Sequence, residues 1–149
     1  MKVLLATEGS DFSKAAVEKC CKLFAESENT EIRIVSAVEP TIPPTEPFAV
    51  SAEYIQEIDA ASRKQAAAVL SKTEEDIRRR FPSFELTTHV LSGSPARAIV
   101  EEAEKWGADV IVVGSHGYGF WRRAWLGSVS NAVAHHAPCS VLIVRNEAI

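Results

Sequence analysis

Val110-Ile111-Val112-Val113-Gly114-Ser115-His116-Gly117 is an apolar run that stops in a glycine-rich turn. Four consecutive apolar residues suit a strand buried on both faces, as in the middle of a parallel sheet. Glycines after such a strand let the backbone take positive φ and let a ligand come close. Gly119 follows, and nine residues separate Gly117 from Gly127-Ser128, where a helix running to about His136 begins. The stretch therefore reads strand, glycine loop, helix. Successive amides in such a loop form a concave anion site. The helix N-terminus adds unpaired N–H groups and a partial positive charge. The hydroxyls of Ser128 and Ser130 can donate to phosphate oxygens. Gly-x-x-Gly alone is equally a strand-ending turn. Two such loops on one sheet edge point to a bound phosphate.

Working outward, the same alternation repeats. Lys2–Thr7 is an apolar first strand, broken by Gly9 and Ser10. Ser10 is placed to cap the next helix, and Asp11 suits the positive end of its dipole. Ala16, Cys20, Leu23 and Phe24 follow at helical spacing as a core-facing stripe. Glu31–Val38 is the second strand. Glu39–Ser51 holds four of the seven prolines. Proline lacks an N–H and fixes φ, so this segment is a loop, placed to act as a lid over the ligand side. A long helix spans about Ala52 to Arg80, with Ile58, Ala66, Val69, Leu70 and Ile77 on one face. Arg78, Arg79 and Arg80 suit its C-terminal end. The third strand, Phe84–Leu91, alternates with polar residues and is expected at a less buried position. Ser94 and Pro95 start a helix that carries Ile99, Ala103 and Trp106 on one side and stops at Gly107. After the fourth strand, Val110–Val113, and the helix Ser128–His136, the fifth strand is Ser140–Val144. Strand and helix alternate throughout, which predicts a parallel sheet with helices on both faces and right-handed crossovers. Ligands bind such sheets outside the carboxyl ends of the strands, where the strand order reverses.

The chain has 149 residues, enough for one domain over 1–149 with a core that needs no metal or disulfide. The formal net charge of -4 argues against a nucleic-acid binder, which carries a basic face. Val3–Ala6 is too short for a signal-peptide core, and no run approaches the roughly 20 apolar residues of a membrane span. A cytoplasmic protein is expected. Cys20 and Cys21 are adjacent and Cys139 stands apart, so no disulfide framework is readable, and buried thiols are expected. A dinucleotide-binding enzyme would carry Gly-x-Gly-x-x-Gly after the first strand, where Glu8-Gly9-Ser10 stands. A P-loop ATPase would carry Gly-Lys-Ser or Gly-Lys-Thr, and neither occurs. His135 and His136 point about 100° apart on a helix, so with Cys139 they do not converge on a metal. His116 reads as a loop hydrogen-bonding residue. No catalytic base is identifiable.

Gly114-x-x-Gly117, nine residues, then Gly127-Ser128 resembles the ATP-binding signature of the universal stress proteins. The flanks match too: Val110–Val113 before it, Leu126-Gly127-Ser128-Val129-Ser130 within it, and His136-Ala137-Pro138 with Cys139–Val144 after it. Val3–Ser10 and Gly93-Ser94-Pro95-Ala96 are also similar to the family, so the resemblance spans the chain. It implies an open, twisted, Rossmann-like five-stranded sheet in the order 3-2-1-4-5. It implies that Gly114, Gly117, Gly127, Ser128 and Ser130 hold the phosphates of ATP, with Ser115, His116 and Val129 in the same loops. It implies that Glu8 after the first strand and Val38 ending the second, with Ala37 adjacent, face the nucleoside, and that Ala6, Thr7 and Ser10 belong to the same cofactor-binding set. Glu8 stands where the family usually has Asp, and Tyr118 where it often has Arg or Thr. Arg122 and Arg123 lie between Trp121 and Trp125 in the same loop.

ATP is thus the expected cofactor, with a magnesium or manganese ion held through its phosphates. Slow or no hydrolysis is expected, since no dedicated base, metal-ligand cluster or arginine finger is readable. The fifth strand is expected at a sheet edge, yet Val141-Leu142-Ile143-Val144 is wholly apolar. Such an edge invites pairing, and a homodimer through it is expected, as in many relatives. A dimeric stress-related interaction module that does not depend on nucleotide is the alternative.

Overall fold

The computed structural model describes residues 1–40, 51–116 and 126–146. Nine elements alternate along them: β1 (Lys2–Ala6), α1 (Asp11–Phe24), β2 (Glu31–Val38), α2 (Ala52–Arg80), β3 (Glu85–Ser92), α3 (Pro95–Trp106), β4 (Val110–Gly114), α4 (Ser128–His136) and β5 (Ser140–Val144). The strands form one sheet in the order β3-β2-β1-β4-β5. Every pairing is parallel, with Leu5 beside Ile34 and Val112, and Val112 beside Leu142.

Side chains of a strand alternate between the two faces, so β1 feeds two cores. Val3 and Leu5 pack with Cys20, Leu70 and Ile77 on the α1–α2 face. Leu4 packs with Ile99, Ala103 and Val133 on the α3–α4 face. This explains why the central strands are continuously apolar, as the sequence pattern predicts. Edge strand β3 alternates between exposed and half-buried residues.

The capping chemistry holds in part. The Ser10 hydroxyl accepts from the Ser13 amide, and Ser51 does the same for Tyr54. Ser94 makes no side-chain cap bond, so α3 relies on Pro95 in its first turn and on Gly107, whose φ of 71° ends it. Leu23 departs from the expected core stripe of α1 and is 52% exposed. The buried face of α1 is Ser13, Ala16, Val17, Cys20 and Cys21. Leu23 lies roughly 90° from the centre of that face at 100° per residue. β1 ends one residue early, at Ala6, and β3 runs one residue later than expected, while Phe84 is buried under α2.

The strand order reverses beside β1. The chain moves outward through β2 and β3, then returns by α3 to β4 on the other side of β1. The loop leaving β1 leads to α1 on one face, and the loop leaving β4 leads to α4 on the other. A crevice opens between them.

Candidate functional site

A cavity of about 320 Å³ lies in this crevice. Ala6, Thr7 and Glu8 line it from the end of β1, and Val35, Ser36 and Ala37 from β2. Pro95 and Ile99 form its α3 side. Val113, Gly114 and His116 contribute from β4 and its loop, and Gly127, Ser128, Val129 and Ser130 from the start of α4. Ten of the expected site residues therefore share one wall. Val38 lines a neighbouring cavity of about 230 Å³ together with Glu8, Ser36 and Ala37. Ser10 and Ser115 are buried and line neither cavity. Gly117 lies outside the described residues, as do Tyr118, Trp121, Arg122, Arg123, Trp125 and residues 41–50 of the proline-rich segment.

The loop after β1 is built from hydroxyls. Gly9 takes φ of 86°, which turns the chain toward α1. Its N–H bonds the hydroxyl of Ser13 at 3.1 Å. Thr7 donates to the Ser13 hydroxyl at 3.0 Å, and Ser13 donates to the Ser10 carbonyl at 3.0 Å. The Ser10 hydroxyl donates to Glu8 Oε1. Ser10 thus steadies the carboxylate that faces the cavity.

Gly114 and Gly127 are both placed where the chain packs closely on itself. Gly114 is the last residue of an extended strand. A Cβ there would meet the Phe12 carbonyl oxygen at 2.9 Å and the Ser13 nitrogen at 3.3 Å. Its bareness lets the first turn of α1 cross the end of β4. Gly127 has φ of -60° and caps α4. A Cβ there would meet the Ser115 oxygen at 3.1 Å and His116 Cα at 3.3 Å. Both glycines allow chain to pack on chain, and neither uses positive φ.

The two loops are also bonded to each other. The Gly127 N–H donates to the Ser115 carbonyl at 2.7 Å. The Ser130 hydroxyl lies 3.0 Å from the carbonyls of both Ser115 and Gly127. Ser130 is buried, and its proton is engaged inside the chain. In this structure the hydroxyl fastens the loop. Ser128 is exposed and lines the cavity.

The first bond inside α4 runs from the Asn131 N–H to the Gly127 carbonyl, 2.9 Å. The amides of Ser128, Val129 and Ser130 precede it and have no acceptor within the helix. The three residues line the cavity at the positive end of the helix dipole. Among the described wall residues the titratable side chains are Glu8 and His116, with no lysine or arginine. His116 packs its ring on Phe12 at 5.4 Å, and its Nδ1 is 3.1 Å from the Ser115 hydroxyl. Positive potential in this part of the site comes from backbone. No group of three or more His, Cys, Asp or Glu able to hold a metal occurs among the described residues.

Val35, Ser36, Pro95, Ile99 and Val113 are wall residues that the motif does not mark. The strand residues could have been found from alternation at the carboxyl ends of β2 and β4. Ile99 follows Pro95 by one helical turn, and its place needs the tertiary crossing of α3 over the sheet.

The universal stress protein family model matches residues 1–145. The universal stress protein YxiE of Bacillus subtilis (strain 168) is 33% identical over 148 residues, covering 97% of this chain and 98% of its own. Universal stress protein UspA from Lactobacillus plantarum superposes with a TM-score of 0.83 at 22% identity, covering 97% of each chain. A universal stress protein crystallised in complex with cAMP superposes with a TM-score of 0.68 at 28% identity, covering 97% of this chain and 96% of that one.

Proposed function

Since the chain belongs to the universal stress protein family, we propose that it binds an adenine nucleotide, ATP above others, between the ends of β1 and β4. The observation that carries this reading is that the first three residues of α4, whose amides precede the first intrahelical bond, line the cavity at the point where the strand order reverses. They suit a phosphate. Glu8, Ala37 and Val38 lie on the far side, where a nucleoside attached to that phosphate would reach. The relative crystallised with cAMP supports an adenine ligand. A magnesium or manganese ion would be held through the phosphates, since hard cations of this kind bind phosphate oxygens and water with few protein ligands.

The protein then acts as a cytoplasmic regulatory or signalling module, one domain over 1–149, with slow or no hydrolysis. Efficient phosphoryl transfer uses an oriented base, metal ligands and a cationic side chain. The described wall supplies two titratable groups, and His116 is engaged with Ser115 and Phe12. Bound nucleotide would stiffen the two loops it bridges, and a partner would read that state.

The first experiment is to purify the protein without added nucleotide, denature it and identify released small molecules by mass spectrometry, followed by calorimetric titration with ATP. Released ATP or ADP, or a saturable titration, is expected. Absence of both would sink the nucleotide reading. One observation favours the second reading, a dimeric interaction module independent of nucleotide. Among the described residues β5 pairs with β4 alone, and Val141, Leu142 and Ile143 are half-buried on this edge. Pairing of two copies through β5 would cover them. Sedimentation at micromolar concentration is expected to give a dimer. A monomer would remove this interface from either reading.

A further inference from the structure

His116 lines the larger cavity from the loop after β4, together with the first residues of α4. A Cβ on Gly127 would lie 3.3 Å from His116 Cα, so this loop presses on the cap of that helix. Imidazole is the side chain whose unperturbed charge changes between pH 5 and 8. Two contacts leave this ring able to take either charge. Its Nδ1 is 3.1 Å from the Ser115 hydroxyl, which can donate to a neutral ring or accept from a protonated one. The Phe12 ring, 5.4 Å away between centroids, brings no charge against either state. Nε2 makes no hydrogen bond among the described residues.

The charged groups around it come from three elements. Glu8 lines the same cavity from the end of β1. Asp11 and Lys14 flank Phe12 on α1, are exposed, and pair with each other at 3.1 Å. Arg145 is exposed and follows Val144, whose carbonyl accepts from the Ser115 N–H at 2.8 Å. The wall residues from β2, α3 and the first turn of α4 carry no charge. Among the described residues the wall therefore sets one carboxylate, Glu8, against backbone dipoles, and a protonated His116 would offset that carboxylate. We propose that His116 binds the phosphates of the ligand in its protonated form, so that binding takes up a proton from solvent and tightens as pH falls. This rests on the nucleotide reading and gives the site a response to acidification. By linkage, proton and nucleotide each raise affinity for the other by the same factor.

The test uses the full chain as wild type, His116→Gln and His116→Asn, each first shown to keep its far-ultraviolet spectrum and melting temperature. The two amides retain hydrogen bonding near Nε2 and Nδ1 respectively and cannot take up the proton, so either folded variant serves the comparison. Calorimetry measures ATP affinity at pH 8 and pH 6, at one ionic strength and one magnesium concentration. Repeating it at pH 7 in buffers of different ionisation enthalpy counts the protons taken up on binding. Comparing wild type with the variants cancels the protonation of ATP itself. From pH 8 to pH 6 wild type is expected to gain about tenfold more affinity than either variant, the scale of one hydrogen bond to a charged group. It is also expected to take up more protons at pH 7. Equal pH responses and equal proton uptake in wild type and variant would overturn the proposal. Tripolyphosphate, which lacks the nucleoside, is the second probe. Failure of ATP to bind wild type at either pH would break the nucleotide reading, and the same comparison with tripolyphosphate would then decide the role of His116. Failure of both probes would overturn both.

Discussion

Gly114 and Ser130 show how a motif can be legible while its physics is not. Both stand in a signature that reads as phosphate binding. In the structure Gly114 is bare because the Phe12 carbonyl would lie 2.9 Å from any Cβ. That contact joins residues about a hundred positions apart, and no local pattern announces it. Gly114→Ala is expected to destabilise the fold by about 1–3 kcal/mol, the cost of overpacking a close-fitted site. Urea denaturation measures this directly, and an unchanged midpoint would mean that α1 does not press on β4. Ser130 likewise spends its proton on the Ser115 and Gly127 carbonyls. Its place in the motif is explained by loop closure. Glu8 is the opposite case. Its position after the first strand was readable, and the Ser10 hydroxyl that steadies it was readable only as a helix cap.

Elements carry the site's charge. α4 begins at Ser128, as the Gly-Ser pattern predicts, and its first three amides have no intrahelical acceptor. Ser128→Asp separates the stability of this helix from its role toward a ligand. A carboxylate in the first turn favours the dipole by about 0.3–1 kcal/mol, so the melting temperature is expected to hold or rise. The same carboxylate would repel a phosphate, so ATP affinity is expected to fall by about tenfold or more. Calorimetry and thermal melts on one variant read both effects. A variant that melts normally and still binds ATP with wild-type affinity would move the phosphates away from α4. Helix α1 shows the limit of reading elements from apolar spacing. Leu23 fits a helical repeat with Cys20 yet turns outward, because the buried face is centred on Ser13, Val17, Cys20 and Phe24. The small Ser13 was not recognisable as core until its hydroxyl was seen to tie Thr7, Gly9 and Ser10 together.

At the scale of the whole molecule, the α1–α2 core encloses two thiols. Burial pushes the Cys21 thiol up to about 11 from an ordinary 9.0, and pushes Cys20 higher still. The folded state holds these protons longer than the unfolded chain, so it loses stability as pH rises. The contribution is full below about pH 8.5, where unfolded thiols begin to ionise, and drains away as pH climbs toward the folded values. The urea midpoint is expected to fall steadily between pH 9 and 11 in wild type and to fall less in Cys20→Ala. Equal slopes would mean that the thiols do not govern alkaline stability.

Sequence by itself determined the order of elements, the parallel sheet and the two loops that flank the crevice. Those follow from the continuous apolar strands and from punctuation by glycine, serine and proline, which act locally. Only the tertiary structure decided which residues meet. It joined Ser36, Pro95 and Ile99 to the loops after β1 and β4, engaged Ser130 within the chain, and opened a second cavity against α2. The physical reason is that a cavity wall is defined by helices crossing a sheet, and side chains from distant segments face one another only after the chain has packed.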